Sequence, residues 1–249
     1  MSDVAAALPP EPFDLLAATW PPEETARLGD WRLCRADGAG QRVCSAWPLS
    51  RDWRGLADTV PGIEAWYRAR GLAPMLQLPD GLGDDAALIA QGYAVVGETA
   101  IVRLDATALA ERPLRGTGSP YLIQVRAPLA ALDELWAKGG VGGPRRAVIA
   151  RAEPIGRIIA LRLEHRLAGV VFVARLRKAA CVHALHVAPW GRRRGAGHDL
   201  MVAAARWAVE AGAESLVFSV ERANAPALAL YQGLGAVEIG GYRYLLGSA

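Results

Sequence analysis

The sequence predicts a mixed α/β (α+β) protein, in which two related units each contain a mixed, mostly antiparallel sheet flanked by helices. Alternating apolar strands occupy the C-terminal half, and the apolar period then changes to that of a helix. Part of the same pattern occurs in the N-terminal half. The chain has 249 residues, 52% of them apolar, so it can bury a sizeable core in one large domain or two small ones.

The C-terminal half contains the clearest elements. Its apolar alternation predicts a strand, a helix and an antiparallel meander of three strands at residues 121–125, 129–138, 157–164, 169–176 and 180–187, with Gly169 and Lys178 in the turns. Apolar residues then recur at helical spacing from Leu200 and stop before Gly212. A strand at 215–220, a helix from Pro226 to about residue 234 and a strand at 240–246 complete this half.

The N-terminal half repeats part of this order. Residues 66–71 have the spacing of residues 207–212, and in both halves a strand, a short helix ending in glycine and a closing strand follow. Such self-similarity predicts two copies of one supersecondary unit. Residues 112–120, which contain two glycines and two prolines, read as a linker or a long surface turn between the copies. We therefore expect an N-terminal domain over 1–115 and a C-terminal domain over 120–249.

Composition narrows the classes of function. The net charge of +3 is weak evidence for nucleic-acid binding. The three cysteines lack metal-ligand spacing, which favours a reduced, cytoplasmic protein with no metal site and no disulfide framework. No run of eighteen apolar residues predicts a membrane-spanning helix, and residues 1–11 are acidic and proline-rich, unlike a secretory signal.

Residues 187–198 are the most informative segment, because they connect a strand to an amphipathic helix through glycines and arginines. Helix N-termini carry unpaired N–H groups and bind anions. Gly195 and Gly197 would let a phosphate approach the backbone, and residues 192–194, all arginines, add charged donors. A tight turn with a solvated basic face is the alternative. The segment lacks the dinucleotide-binding and P-loop patterns.

The segment Arg192-Arg193-Arg194-Gly195-Ala196-Gly197 resembles the acyl-CoA loop of GNAT acetyltransferases, whose pattern is Gln/Arg-x-x-Gly-x-Gly/Ala. Upstream, residues 185–189 resemble the end of that family's fourth strand. Downstream, residues 224–235 are similar to its Asn-x-x-Ala-x-x-Leu-Tyr segment with a closing glycine, although Ala236 replaces the usual aromatic residue. The resemblance covers roughly residues 157–246.

The resemblance implies an acyl-CoA site. It assigns the CoA pyrophosphate to the loop, the pantetheine arm to the backbone of the fourth strand, and a further cofactor contact to Asn224. The implied cofactor residues are Leu185, His186, Val187, Arg192, Arg193, Arg194, Gly195, Ala196, Gly197, His198, Asn224 and Tyr231. The co-substrate is acetyl-CoA, and no metal is implied.

Tyr231 is the implied general acid, because a phenol with a pKa near 10 is only slightly too weak to protonate a leaving thiolate. The alternative is a tyrosine of the core. The general base is open among His183, His186, Glu221 and a water chain. We expect His183 and His186 on opposite faces of their strand, which argues against a shared metal.

The N-terminal half resembles a degenerate copy, as in tandem-GNAT proteins. In the alignment that keeps Gly55 and Ala57 at the loop glycines, Asp52 replaces the arginine, and Leu88 stands where Tyr231 stands. Packing, shaping of a substrate pocket or a dimer contact would suit it, so a homodimer is left open.

The predicted function is transfer of an acetyl group from acetyl-CoA to the primary amine of a small molecule or peptide, without nucleic-acid or membrane partners. The alternatives are an acyl-CoA binding or sensing module without catalysis, and nucleic-acid binding through residues 192–194. Because both cofactor segments follow Pro120, we also expect a fragment from about Ser119 onward to bind acyl-CoA alone.

Overall fold

The computed structural model of the protein describes residues 12–248, so the prediction for residues 1–11 lies outside the described part. The helices are α1 (Pro12–Thr19), α2 (Trp53–Ala57), α3 (Val60–Arg68), α4 (Asp85–Ala90), α5 (Ala106–Ala110), α6 (Ala130–Lys138), α7 (Gly143–Ala152), α8 (Ala196–Glu210) and α9 (Ala225–Gly233). The strands are β1 (Glu24–Leu28), β2 (Trp31–Arg35), β3 (Ala46–Pro48), β4 (Met75–Pro79), β5 (Ala94–Asp105), β6 (Tyr121–Val125), β7 (Gly156–Leu163), β8 (Arg166–Leu176), β9 (Ala179–Val187), β10 (Ser215–Glu221) and β11 (Val237–Leu246).

The chain forms two compact units, and each unit is assembled from several segments. The first unit contains residues 12–21, 102–218 and 225–237. The second contains residues 22–101, 219–224 and 238–248. A single cut of the chain near residue 115 therefore does not separate them. The predicted fold class is confirmed, since mixed sheets with flanking helices make up the protein.

In the first unit the strands lie in the order β10-β9-β8-β7-β6, with the end of β5 beside β10. The predicted meander is present, because β7, β8 and β9 pair antiparallel. Its turns differ from the prediction in part. Glu164 and His165 form the first turn at positive φ, whereas Gly169 lies inside β8. A Cβ at Gly169 would lie 2.7 Å from Leu200 of α8, so close packing accounts for the glycine.

Helices cover both faces of this sheet. Helix α8 packs against β7, β8 and β9, with eleven of its fifteen residues buried. Helices α1 and α6 pack against β8 and β9. Helix α7, which begins at a glycine and a proline, was not predicted.

The second unit has the order β1-β2-β3-β4-β11. Its core centres on fully buried Trp31, Ile63, Tyr67 and Leu76. Strands β3 and β4 are parallel and are connected through α2 and α3, as β9 and β10 are parallel and connected through α8. The order strand, helix, parallel strand, helix, strand therefore occurs twice along the chain, as the sequence repeat predicts.

Residues 112–118, which we call the strap, differ from a free linker. Arg206 of α8 donates to the carbonyl oxygens of Ala110 and Arg112 at 3.0 Å each. The N–H of Thr117 donates to the carbonyl of Arg194 at 3.2 Å. The strap therefore follows α8 towards its N-terminus and belongs to the packing of the first unit. Within residues 12–248, none of the helices is both long and apolar enough to cross a bilayer.

Candidate functional site

The predicted phosphate loop lies where β9 leads into α8. The first intrahelical bond of α8 runs from the N–H of Asp199 to the carbonyl of Gly195, so the N–H groups of residues 196–198 have no acceptor within the helix. The N-cap, Gly195, supplies no side-chain acceptor. Arg193 and Gly195 both have positive φ, a conformation that turns successive N–H groups towards one side. Uncapped N–H groups and the positive end of a fifteen-residue helix suit an anion.

The two loop glycines have packing roles that the sequence did not reveal. Gly195 has a φ of +83°, and a Cβ there would lie 2.7 Å from the backbone of Arg115. A Cβ at Gly197 would lie 3.0 Å from Leu230 of α9 and 3.9 Å from Val187 of β9. Gly197 therefore lies where β9, α8 and α9 meet, whereas approach of a phosphate is not needed to explain the glycine at position 195.

The three loop arginines are not equivalent. Arg194 forms an ion pair with Glu164, lowers the pKa of that carboxyl group, and donates to the hydroxyl of Thr117 at 3.0 Å. Arg192 and Arg193 are exposed, and no described residue pairs with either guanidinium. Arg194 therefore holds the strap, while Arg192 and Arg193 remain available to a ligand.

Beside this loop, one edge of β9 has no strand partner among residues 12–248. Strands β9 and β10 pair in parallel only at Ala179, Ala180 and Cys181, although β9 continues to Val187. Its other edge pairs with β8 as far as Val187. Apart from the Ala184 carbonyl, which accepts the indole N–H of Trp136, residues 182–187 thus offer backbone donors and acceptors along an edge that leads to the N-terminus of α8. Leu185, His186 and Val187, the strand residues implied to contact the cofactor, lie on this stretch.

A β-bulge alters the same stretch of β9. Phe172 pairs with His183 and Val170 pairs with His186, so two residues of β9, Ala184 and Leu185, face a single residue of β8. Ala184 has a φ of +49°, and its carbonyl accepts a hydrogen bond from the indole of Trp136 in α6 at 2.8 Å. Helix α6 is thereby bonded to the bulge.

The bulge corrects the prediction that His183 and His186 lie on opposite faces. Their partners Phe172 and Val170 are two residues apart on β8 and share a face, so the two histidines share it too. The extra residue in β9 shifts the alternation on which the prediction rested. The described residues nevertheless contain no group of three or more side chains that could hold a metal ion.

His183 is part of the core. It is 5% exposed, and its Nε2 lies 2.9 Å from the hydroxyl of Thr19, which itself donates to the carbonyl of Leu15. The hydroxyl proton is therefore used, and Nε2 of His183 must carry the proton of the neutral ring. The ring of Trp20 packs against it at a tilt, with the centroids 4.9 Å apart. This geometry favours a structural role over that of a general base.

His186 has a different environment. Its ring lies so close to Gly139, which follows α6, that a side chain at position 139 would overlap it. The Nε2 of His186 is buried and has no hydrogen-bond partner in residues 12–248. Burial and the charge of Arg192 lower the pKa of His186. The ring is therefore neutral at pH 7 and can accept a proton.

Tyr231 lies in α9 and is 9% exposed. Its ring meets that of Phe218 edge to face at 4.4 Å, and burial raises its pKa to about 12. No hydrogen bond of its hydroxyl is found among the described residues. Helix α9 ends just beyond Tyr231 in a Schellman motif, because the N–H of Ala236 donates to the Tyr231 carbonyl and Gly235 has a φ of +85°.

Glu221 and Asn224, the other implied site residues, belong to the second unit. Glu221 is the exposed last residue of β10, and its carbonyl accepts the N–H of Asn224 at 2.9 Å. Asn224 immediately precedes α9. The loop, β9 and Tyr231 therefore belong to the first unit, whereas these two residues do not.

The corresponding loop of the second unit contains its own anion. Asp52 caps α2, and its carboxylate accepts the N–H of Arg54 at 3.2 Å. Helix α2 has only five residues. A negative side chain at this position disfavours a phosphate, which fits the prediction of a degenerate copy.

Two family models match the chain in sequence. Residues 130–236 match the acetyltransferase (GNAT) family, and residues 15–117 match the C-terminal domain of the probable histone acetyltransferase Rv0428c. Residues 130–236 form a GNAT acetyltransferase domain. Over 66 residues, 26% of this chain, the sequence is 41% identical to the probable histone acetyltransferase Rv0428c of Mycobacterium tuberculosis. This alignment covers 21% of that relative, about a fifth of its length.

Solved structures show the same fold over nearly the whole chain. A GCN5-related N-acetyltransferase from Kribbella flavida is similar with a TM-score of 0.73 and 14% identity, over 95% of this chain and 94% of that one. A tandem GNAT protein from the clavulanic acid biosynthesis pathway is similar with a TM-score of 0.65 and 17% identity, over 97% and 88%. At these identities the similarity shows a shared fold and no substrate.

Three residues near the candidate site were missed by the sequence analysis. Gly139 contacts His186, Asp199 binds the strap, and Arg115 lies against Gly195. Each of these contacts joins residues at least 47 positions apart in the sequence, so local pattern could not predict it. In the sequence, the one available signal was an acidic residue, Asp199, just after the loop glycines.

Proposed function

We propose that the GNAT domain binds acetyl-CoA along the free edge of β9, with the pyrophosphate at the N-terminus of α8, and transfers the acetyl group to a primary amine. The unpaired edge at residues 182–187, which leads directly to an uncapped helix N-terminus, carries this proposal. An extended pantetheine arm can pair with such an edge as an added strand would. Arg192 and Arg193 are the side chains available to the pyrophosphate.

In the proposed mechanism the amine attacks the thioester carbonyl, a tetrahedral intermediate forms, and its collapse breaks the carbon–sulfur bond. Tyr231 donates its phenolic proton to the leaving thiolate. With a pKa of about 12, Tyr231 stays protonated at neutral pH. Transfer to a thiolate whose conjugate acid has a pKa of roughly 8.5 costs about 5 kcal/mol, more than the sequence analysis implied. Burial of the thiolate in the same site raises its own proton affinity and reduces that cost.

His186 is the proposed general base. Burial lowers its pKa, its Nε2 has no partner in the described part of the chain, and its ring lies beside Gly139, whereas His183 is bonded to Thr19. Glu221 remains the alternative, since it is exposed at the end of β10. No contact within the first unit indicates the class of amine acceptor. The proposal therefore includes both small amines and peptide amines as acceptors. Because the M. tuberculosis relative is named a probable histone acetyltransferase, a lysine-rich peptide should be among the acceptors that are tested.

The test is release of free thiol from acetyl-CoA with a panel of small amines and lysine peptides, followed by mass spectrometry of the acceptor. Amine-dependent thiol release with an acetylated product supports the enzyme. Tight CoA binding without release for any acceptor supports the alternative, an acyl-CoA binding or sensing module. Salt-sensitive retention of DNA in place of CoA binding would favour nucleic-acid binding.

A further inference from the structure

The strap brings a cation to the phosphate loop. Arg115 contacts Gly195 so closely that a Cβ at Gly195 would lie 2.7 Å from both the carbonyl carbon and the carbonyl oxygen of Arg115. The side chain of Arg115 is exposed, and no residue of the described part of the chain pairs with it. The backbone of Arg115, whose side chain is exposed, therefore lies directly beside the N-cap of α8.

A buried carboxylate fixes this position. Asp199 is fully buried, and its two oxygens accept the N–H groups of Arg115 at 2.7 Å and Gly116 at 2.8 Å. A side chain at Gly116 would lie 2.6 Å from the same carboxylate, so the strap can approach only because residue 116 is glycine. Two backbone donors to one buried carboxylate are costly to lose, which holds the backbone of Arg115 in place.

The first turn of α8 contains a histidine that has only one of its two nitrogens paired within residues 12–248. His198 is 7% exposed, and its Nδ1 lies 3.1 Å from Asp199. Its Nε2 is buried without a hydrogen-bond partner among residues 12–248. Arg194, meanwhile, is engaged with Glu164 and Thr117 of the strap. Arg194 of the loop thus binds the strap, and the backbone of Arg115 in the strap lies against the loop.

We propose that Arg115 is a binding residue for the phosphates of CoA and that Asp199 is its positioning residue. The inference rests on the proposed function, because it adds a third cation, beside Arg192 and Arg193, to the site at the N-terminus of α8. Guanidinium groups pair well with phosphate, and CoA offers both a pyrophosphate and a 3′-phosphate. The segment between the two sequence repeats thereby becomes part of the cofactor site.

The test is calorimetric titration of the full chain with CoA, dephospho-CoA and pantetheine. Arg115→Ala should weaken CoA binding about tenfold, as expected for one exposed hydrogen bond to a charged group, and should leave pantetheine unchanged. Arg145→Ala is the matched control, because Arg145 is also exposed and unpaired in the described chain, and it should bind CoA as the wild type does. If the loss disappears with dephospho-CoA, the partner is the 3′-phosphate; if it persists, the partner is the pyrophosphate.

Asp199→Asn tests the positioning role. It should weaken CoA binding in the wild-type background and have little further effect beside Arg115→Ala, the non-additivity expected when one residue acts through the other. Equal CoA affinity of Arg115→Ala and wild type, or an equal loss for pantetheine, would overturn the inference even if Asp199→Asn fails to fold. A wild-type protein that does not bind CoA would instead remove the proposed function itself.

Discussion

Replacement of Tyr231 by phenylalanine separates chemistry from packing. The ring contact with Phe218 at 4.4 Å is kept, and only the hydroxyl is lost. General acid catalysis contributes roughly a hundred- to ten-thousand-fold, so we expect turnover to fall by that factor. Affinity for acetyl-CoA should hardly change, since the lost interaction belongs to the transition state.

Stability gives the independent readout. Among the described residues no hydrogen bond to the hydroxyl is found, so its removal should leave the melting temperature nearly unchanged. Thiol release and thermal unfolding are measured on the same preparation. A stable variant with full turnover would refute the assignment of Tyr231 as the acid. A lowered melting temperature with undiminished turnover would identify a structural tyrosine.

Three further predictions follow from the contacts of the site. The acid limb of the kcat/KM profile should lie below pH 6.5, because burial and Arg192 lower the pKa of His186 and keep its ring neutral to lower pH. Arg192→Ala removes one of these causes and should move the limb to higher pH. A limb that does not move would exclude His186 as the base. In chemical denaturation, Gly195→Ala should lower the free energy of unfolding by about 1–2 kcal/mol because of its left-handed φ, and further because of the strap contact. Gly197→Ala should leave it nearly unchanged, since the end of Leu230 can move. Equal effects of the two substitutions would contradict the packing argument. The sequence predicts that a fragment of residues 119–248 binds acyl-CoA. Because this fragment lacks both α1 and the strap, we expect instead that it shows no cooperative unfolding transition in circular dichroism. A fragment that unfolds cooperatively and binds CoA would show that both segments are dispensable.

The elements that sequence predicted well are those whose signal is local. The period of two in β7–β9, the helical period of α8 and the glycine at the end of α9 depend on neighbouring residues. The contacts of the strap could not be predicted, because its partner, Asp199, is 84 residues from Arg115, and a glycine- and proline-rich segment has the same composition whether it is packed or free. The bulge at Ala184 depends on cross-strand register and on Trp136, so the faces of His183 and His186 could not be derived from spacing.

The assignment of site residues had the same limit. Local pattern identified Arg192, Arg193 and Arg194 together, and only their contacts distinguish the paired arginine from the two unpaired ones. Family resemblance singled out Tyr231, whereas its burial and its raised pKa come from packing against Phe218 and the surrounding core.

Titration of the full chain with acetyl-CoA, compared with a double variant Arg192→Ala/Arg193→Ala, tests the central claim most directly. We expect saturable binding to the wild type and a loss of at least about tenfold in the double variant, because both arginines precede α8, are exposed and have no ion-pair partner among residues 12–248. Absence of binding to the wild type, or undiminished binding to the double variant, would contradict an acyl-CoA site at the start of this helix.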